Sequence, residues 1–209
     1  MRLHLVRHGE TVHNRSNRIQ GDLLDAGLNE AGRAQADALA RRYADERTRL
    51  AAVASSPLRR AFETGLAVTQ ALGLPEPLRC PGMREISWGE HNGKENAGET
   101  GADMARILRA WDAGDVRAHA PGSETLAQVQ ARALGELARL EAAHPKGDVM
   151  LVGHGRVNKV LLSTLVHGDL LHMEAFQQGN ASATVLEREG ARWRVVGYRP
   201  VPGALEERH

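Results

Sequence analysis

The chain has a single cysteine, Cys80, among 209 residues. One thiol cannot close an internal disulfide, and it cannot build a thiolate metal cage. A chain of this kind fits a reducing compartment, and Cys80 reads as a core residue at a strand end. Lysine is almost as scarce. Only Lys94, Lys146 and Lys159 occur, so nearly all of the 27 cationic residues are arginine. A GC-rich genome gives the same bias, so arginine usage alone carries no functional message. The net charge is only +1. No excess of positive charge is available to displace counterions, which argues against nucleic acid as a general partner. Any functional positive charge has to be local. No apolar run approaches a membrane span, so no membrane partner is expected. Met1-Arg2 leads straight into a strand-like run without a signal-peptide pattern, and a cytoplasmic location is expected. Ten histidines are present, yet none sits in His-Glu-x-x-His spacing, so no metal site is expected. A Gly-x-x-x-x-Gly-Lys-Ser/Thr loop is missing too, which argues against an NTP-driven machine. There are no internal repeats and no low-complexity tracts.

Against those absences stands one dense segment. The apolar run Leu3–Val6 ends in Arg7-His8-Gly9, followed by a polar turn and Asn14. A strand that delivers Arg and His to its C-terminal end and then turns at Gly suits a phosphate. The Arg fork pairs two phosphate oxygens. The His can attack phosphorus or shuttle a proton near neutral pH. Gly lets backbone N–H groups come close to the anion. The open end of a strand in an α/β sheet is also where such folds place ligands. A lone histidine here would read as a packed strand-end residue. The rest of the chain argues otherwise.

Three further segments follow apolar runs. Ser55-Ser56-Pro57-Leu58-Arg59-Arg60-Ala61 follows Leu50–Ala54. Arg84-Glu85-Ile86-Ser87-Trp88-Gly89 follows Leu78-Arg79-Cys80. Gly153-His154-Gly155 follows Val149–Val152. With these four motifs in this order, from Leu3 to about Glu187, the chain resembles the histidine phosphatase superfamily, also called the phosphoglycerate mutase-like family. The resemblance implies a three-layer α/β/α sandwich. It also implies a small-molecule phosphate ester as substrate, a phosphohistidine intermediate and no cofactor.

The site follows from the resemblance residue by residue. His8 is the candidate nucleophile. Arg7 and Arg60 clamp the transferring phosphoryl group, because fixed cations stabilise the charge spread over its equatorial oxygens. Arg60 is chosen over Arg59 because the family arginine directly precedes a small residue, here Ala61. His154 contacts phosphoryl oxygens without attacking. Glu85 is the candidate general acid, since a departing alkoxide needs a proton. Asn14 adds a neutral donor, a role compatible with capping a turn. Gln20 and Gly21 complete the candidate substrate-binding set. Glu10 reads more simply as a turn-stabilising carboxylate. His4 and His13 read as structural or exposed.

Two departures bear on substrate. Many relatives carry Gly-x-Trp-Glu-Gly after the acid. Here the stretch is Gly89-Glu90-His91-Asn92-Gly93, with Trp88 ahead of the glycine. Cofactor-dependent mutases of the family have a longer segment between the acid and the second histidine, so the short spacing from Glu85 to His154 favours a phosphatase. The rival readings are a phosphoglycerate mutase and a catalytically silent phosphate-binding or interaction module on the same fold. Homo-oligomerisation is left open.

The coarse pattern is strand, loop, helix, repeated, which argues an α/β fold with a mostly parallel sheet. Strands are expected at Leu3–Arg7, Ala51–Ala54, Leu78–Cys80, Val149–Val152, Ala183–Leu186 and Trp193–Tyr198, the last two around a turn at Glu189-Gly190. Asn29 is placed to cap a helix over 31–43 with an apolar stripe of Ala34, Ala38 and Leu39. Pro57 is expected to open a helix ending at Gly73. Further helices are expected near 102–111, from Ser123 or Thr125 to about 143, and over 155–166. One domain over 1–199 is expected, with 89–122 as a site-covering segment and 200–209 as a tail.

Overall fold

The computed structural model describes residues 1–190 and 192–204. Among the described residues six strands and six α-helices are formed, the strands being β1 (Arg2–Arg7), β2 (Leu50–Ser55), β3 (Leu78–Arg79), β4 (Asp148–Gly153), β5 (Ala183–Glu189) and β6 (Arg192–Arg199). They make one sheet in the order β3-β2-β4-β1-β5-β6. β3, β2, β4 and β1 run parallel, and β5 and β6 are added antiparallel. The helices are α1 (Val12–Arg15), α2 (Glu30–Asp45), α3 (Arg59–Leu72), α4 (Gly98–Asp112), α5 (Leu126–Ala143) and α6 (Gly155–His167).

Successive strand side chains point to opposite faces, and the central strands are apolar on both. Leu3, Leu5, Val149 and Leu151 join a core with residues of α5 and α6. Val6, Met150 and Val152 join a second core with residues of α2 and α3. Two buried faces on one sheet give the three layers. His4 is on the α2 side, with Nδ1 2.7 Å from the Tyr43 hydroxyl. Burial lowers its pKa to about 4, so the ring is neutral.

Several boundaries differ from the sequence expectation, each for a local reason. In α2 the buried stripe is Ala36, Leu39, Ala40 and Tyr43, whereas Ala34 faces outward. Alanine occurs on every face of this helix and so carries no directional signal. α3 opens at Arg59 rather than at Pro57, because Leu58 keeps an extended backbone as the N-cap. α4 starts at Gly98, four residues before the expected point. Its N-cap Ala97 makes no side-chain bond and its first buried residue is Met104, so neither cap nor periodicity marks the first turn. Thr125, not Ser123, caps α5, in a reciprocal box with Gln128. Residues 200–204, expected to begin a tail, lie against α2 instead. Val201 is buried in the second core, Arg42 donates to the Pro200 carbonyl, and Gln35 donates to that of Gly203. Residues 205–209 lie outside the described residues. Among the described residues no helix is long and apolar enough to cross a membrane.

Candidate active site

The site begins with strand register. Arg7 of β1 pairs with Gly153 of β4, and Ser55 of β2 pairs with Val152. The three parallel strands therefore end together. The ladder continues one residue further: the His8 N–H donates to the Gly153 carbonyl at 3.1 Å, and the Ser56 N–H to that of Val152 at 2.8 Å. His8, His154 and Ser56 come side by side at the carboxyl edge of the sheet. The two imidazole centroids are 5.1 Å apart. Gly9 turns the chain past α2. A Cβ there would sit 2.6 Å from the Gly32 carbonyl oxygen, so the close passage requires glycine.

His8 is 3% exposed. Its Nδ1 is 2.7 Å from the Gly9 carbonyl oxygen. A carbonyl can only accept, so Nδ1 carries the proton and Nε2 keeps its lone pair. Burial holds the His8 pKa well below the usual imidazole value, and the Arg60 and Arg7 cations push the same way. The result is a neutral ring with a bare Nε2, the form in which histidine is a nucleophile.

Arg7 and Arg60 are both buried, at 6% and 0% exposure. Each is held by main-chain carbonyls. Arg7 donates to Gln178 at 2.6 Å, and Arg60 donates to Leu24 and Gly21, both at 2.8 Å. In each the Nε lacks a partner. Burial lowers the Arg60 pKa to about 10, opposed chiefly by Glu85, so the group is still cationic near neutral pH. Carbonyl dipoles offset only part of the cost of burying two guanidiniums. Among the described residues neither is within salt-bridge distance of a carboxylate. Arg59, by contrast, is exposed on α3 and pairs with Glu63 at 2.6 Å.

Glu85 reaches the first turn of α6. One carboxylate oxygen accepts from the Ile86 and Val157 N–H groups, at 2.9 and 3.1 Å, and the other from that of Arg156 at 3.1 Å. His154, the N-cap of α6, makes no capping bond with its side chain. Glu85 supplies the acceptors from elsewhere in the chain. It lines the same cavity as Arg7, His8 and Arg60.

The remaining candidates fall into place around that cavity. The side-chain carbonyl of Asn14 accepts from the Thr11 N–H at 3.0 Å. That of Gln20 accepts from the Thr11 hydroxyl at 3.0 Å. Both amides thus have their acceptor end engaged and their N–H₂ end left as donor. Gly21 has φ +53°, and a Cβ there would lie 1.8 Å from Asn92 Oδ1. Its carbonyl holds Arg60. Asn14, Gln20 and Gly21 all line the cavity; His154 is fully buried, with its ring centroid 5.1 Å from that of His8. Glu10 is a turn stabiliser: its carboxylate accepts from Asn29 Nδ2 at 2.7 Å and its carbonyl from the Asn29 N–H at 3.0 Å. Cys80 is buried, and burial raises its thiol pKa to about 11, which suits a core residue.

The cavity encloses about 450 Å³. Sequence reasoning expected 89–122 to cover the site but named few of the residues that line its mouth. His13, Arg15 and Arg18 line it, and so do Trp88 and the α4 residues Met104 and Leu108. Met104 and Leu108 are four apart on one helix face, a signal that could have been read had the helix start been visible. Burial, Arg18 and Arg60 all lower the His13 pKa. Loops 17–21 and 92–96 are stitched together: Ile19 N–H to the Lys94 carbonyl at 2.9 Å, Gly93 N–H to that of Ile19 at 2.7 Å, and Asn96 N–H to that of Asn17 at 2.9 Å. This seam brings Asn96 and α4 over the site. Among the described residues no group of three or more His, Cys, Asp or Glu is placed to hold a metal ion.

Residues 3–200 match the family model of the histidine phosphatase superfamily (branch 1). A metal-independent phosphoserine phosphatase of Arabidopsis thaliana is 30% identical, over 94% of this chain and 80% of that protein. A glucosyl-3-phosphoglycerate phosphatase of Mycobacterium tuberculosis is 32% identical over 93% of this chain and 92% of its own. A mycobacterial glucosyl-3-phosphoglycerate phosphatase solved in complex with VO3 superposes with a TM-score of 0.81 at 34% identity, covering 93% of this chain and 96% of that one. With the four motifs gathered at one sheet edge and the match spanning nearly every residue, the chain belongs to the histidine phosphatase superfamily.

Proposed function

We propose that this chain is a phosphomonoesterase that hydrolyses small phosphate esters through a phosphohistidine at His8 Nε2. The observation that carries the reading is the pair of buried cations, Arg7 and Arg60, held by carbonyls beside a neutral imidazole with a bare Nε2. The relatives named above are phosphatases, which supports hydrolysis over mutase chemistry.

In the first step His8 Nε2 attacks phosphorus and the ester P–O bond breaks. Arg7, Arg60, His154 and the Asn14 and Gln20 amides stabilise the phosphoryl oxygens. The Gly9 carbonyl accepts from Nδ1–H and so balances the positive charge that the ring gains. Glu85 hands a proton to the leaving oxygen. Both its oxygens accept main-chain N–H bonds, so the proton it hands over arrives with a monoanionic ester. In the second step water attacks phosphorus, gives its proton to Glu85 and breaks the N–P bond. His8 returns to its neutral form.

The cavity is larger than a phosphate needs. Beyond the phosphate ligands it is lined by His13, Arg15 and Arg18 and by Trp88, Met104 and Leu108. That combination supports a leaving group with an acidic function and an apolar or ring face, as in a substituted phosphorylated hydroxy acid. A cytoplasmic location is supported by the single buried thiol.

Labelling with a radioactive phosphate ester tests the mechanism. The wild type is expected to carry an acid-labile, alkali-stable phosphoryl group. His8→Ala should lose the label and its turnover of p-nitrophenyl phosphate while still binding vanadate, because the clamp remains. Near-normal hydrolysis by His8→Ala would remove His8 as nucleophile.

A further inference from the structure

The second histidine raises a question that the phosphatase reading leaves open. His154 is fully buried, and two states of its neutral ring are available. With the proton on Nε2, the free Nδ1 presents a lone pair, which repels phosphoryl oxygens. With the proton on Nδ1, the ring presents a donor, which attracts them. The surrounding side chains decide between these states.

His154 Nε2 lies 2.8 Å from the Ser56 hydroxyl oxygen. That oxygen already accepts from the Leu58 N–H, at 3.3 Å. An acceptor bond of this kind leaves the hydroxyl proton to be donated, and His154 Nε2 is the acceptor within reach. His154 Nδ1 is buried without a partner. The alternative tautomer leaves two defects. The hydroxyl proton then has no acceptor at this contact, and a bare Nδ1 lone pair is buried. The Nδ1–H tautomer leaves one N–H, in a ring 5.1 Å from His8 and under the field of Arg60 and Arg7. A buried donor without a partner is costly until an acceptor arrives. A phosphoryl oxygen on the His8–Arg7–Arg60 clamp is such an acceptor.

We infer that Ser56 is a positioning residue that fixes His154 in the Nδ1–H tautomer, so that His154 serves as a neutral hydrogen-bond donor to the phosphoryl group. The two histidines then carry their protons on the same nitrogen and use opposite ends. His8 has its Nδ1–H tied to a carbonyl and works through a bare Nε2. His154 has its Nε2 tied to a hydroxyl and works through Nδ1–H. The donor role rests on the phosphatase reading; the tautomer does not.

Two-bond ¹H–¹⁵N correlation spectra of the ¹⁵N-histidine-labelled full chain read the tautomer directly, with His154 assigned by the signal missing from His154→Asn. The wild type at pH 7.5 is expected to show a protonated Nδ1 and a bare Nε2 at His154. In Ser56→Ala the ring should begin to sample Nε2–H. Affinity for inorganic phosphate and kcat for p-nitrophenyl phosphate should each fall roughly tenfold or more, as for loss of one charge-assisted bond. Ser56→Thr, which keeps the hydroxyl, should restore both the spectrum and the affinity. An Nε2–H signal in the wild type overturns the assignment, and so does an unchanged His154 tautomer in Ser56→Ala. If Ser56→Ala fails to fold, the wild-type spectrum alone decides. A wild type with Nδ1–H at His154 that binds neither phosphate nor ester supports the tautomer and sinks the phosphatase reading instead.

Discussion

The floor of the cavity and its mouth are made differently. The floor rests on strand ends: Arg7 ends β1 and His8 follows it, Ser56 follows β2, His154 follows β4, and Arg60 is the second residue of α3. Ladder hydrogen bonds fix their spacing to the sheet. The mouth consists of loops and one helix: the 17–21 and 92–96 segments, joined by three backbone bonds, and the Met104–Leu108 face of α4. The floor holds buried cations bonded to main-chain carbonyls, with Glu85 in the same cavity, which is a site for any phosphoryl group. The mouth mixes partly exposed arginines with apolar side chains, which is a site for a particular alcohol. Chemistry is thus placed where the backbone is rigid, and selectivity where it can vary.

Glu85 stands where the two regions meet, and after His8 itself its loss should slow catalysis most. If it protonates the leaving oxygen, its contribution depends on how basic that oxygen is. A well-placed general acid contributes roughly 10²–10⁴-fold. Glu85→Gln keeps the size and part of the bonding to the first turn of α6. The phosphoryl-transfer rate, followed in single turnovers by trapping the phosphoenzyme, should fall by that factor for an alkyl phosphate. It should fall far less for p-nitrophenyl phosphate, whose phenolate leaves nearly unassisted. Equal losses on both esters would falsify the leaving-group role and return Glu85 to holding α6.

The floor was legible in the sequence residue by residue, whereas of the mouth only the segment 89–122 was expected and not its lining residues, for a physical reason. Strand-end residues are marked by an apolar run that stops abruptly, and Arg7, His8 and His154 all follow one. Arg60 was distinguished from Arg59 only by the family motif. Its burial follows from its facing the site on α3 while Arg59 faces Glu63 and solvent. The mouth depends on pairing between segments about 75 residues apart, as in the bridge between Arg18 and Glu95. Neither segment carries a periodic pattern. The same holds for Ser56, whose hydroxyl gains meaning only from a histidine 98 positions away. The docking of residues 200–204 on α2 was also hidden, since Val201 lies between Pro200 and Pro202 in a stretch with neither strand nor helix periodicity.

Arg60 allows a test of the floor alone. Arg60→Met should lower kcat/KM by roughly 10²–10³-fold, the range for removing one charge-stabilising donor. The loss should be similar for every ester, because the clamp sees only the phosphoryl group. Stability should respond differently. A buried guanidinium without a carboxylate partner costs desolvation energy, and an apolar chain of similar length removes that cost. The carbonyls of Gly21 and Leu24 lose their donors, which opposes the gain. Calorimetry without phosphate should therefore place the melting midpoint within a few degrees, roughly, of wild type. Added phosphate should raise the wild-type midpoint and leave that of the variant nearly unmoved. A large ester-dependence of the kinetic loss would mean that Arg60 also reads the alcohol, and the division between floor and mouth would fail.

The smallest effect belongs to the mouth. Leu108 lines the cavity from α4 beside Met104 and is only half-buried. Truncation to alanine removes apolar surface from the leaving-group side and touches no phosphate ligand. A change of a few methylenes in an apolar pocket alters selectivity by roughly ten- to two-hundred-fold at most. A side chain that is partly exposed should fall at the low end. Leu108→Ala is therefore expected to reduce kcat/KM roughly tenfold for esters whose alcohol is bulky enough to reach α4. Glycerol phosphate, whose alcohol is small, should be nearly unaffected. The inhibition constant of inorganic phosphate is the control, because phosphate occupies only the floor. It should match the wild-type value. If it moves in parallel with the bulky-ester kinetics, α4 shapes the clamp as well as the mouth, and the two regions are one.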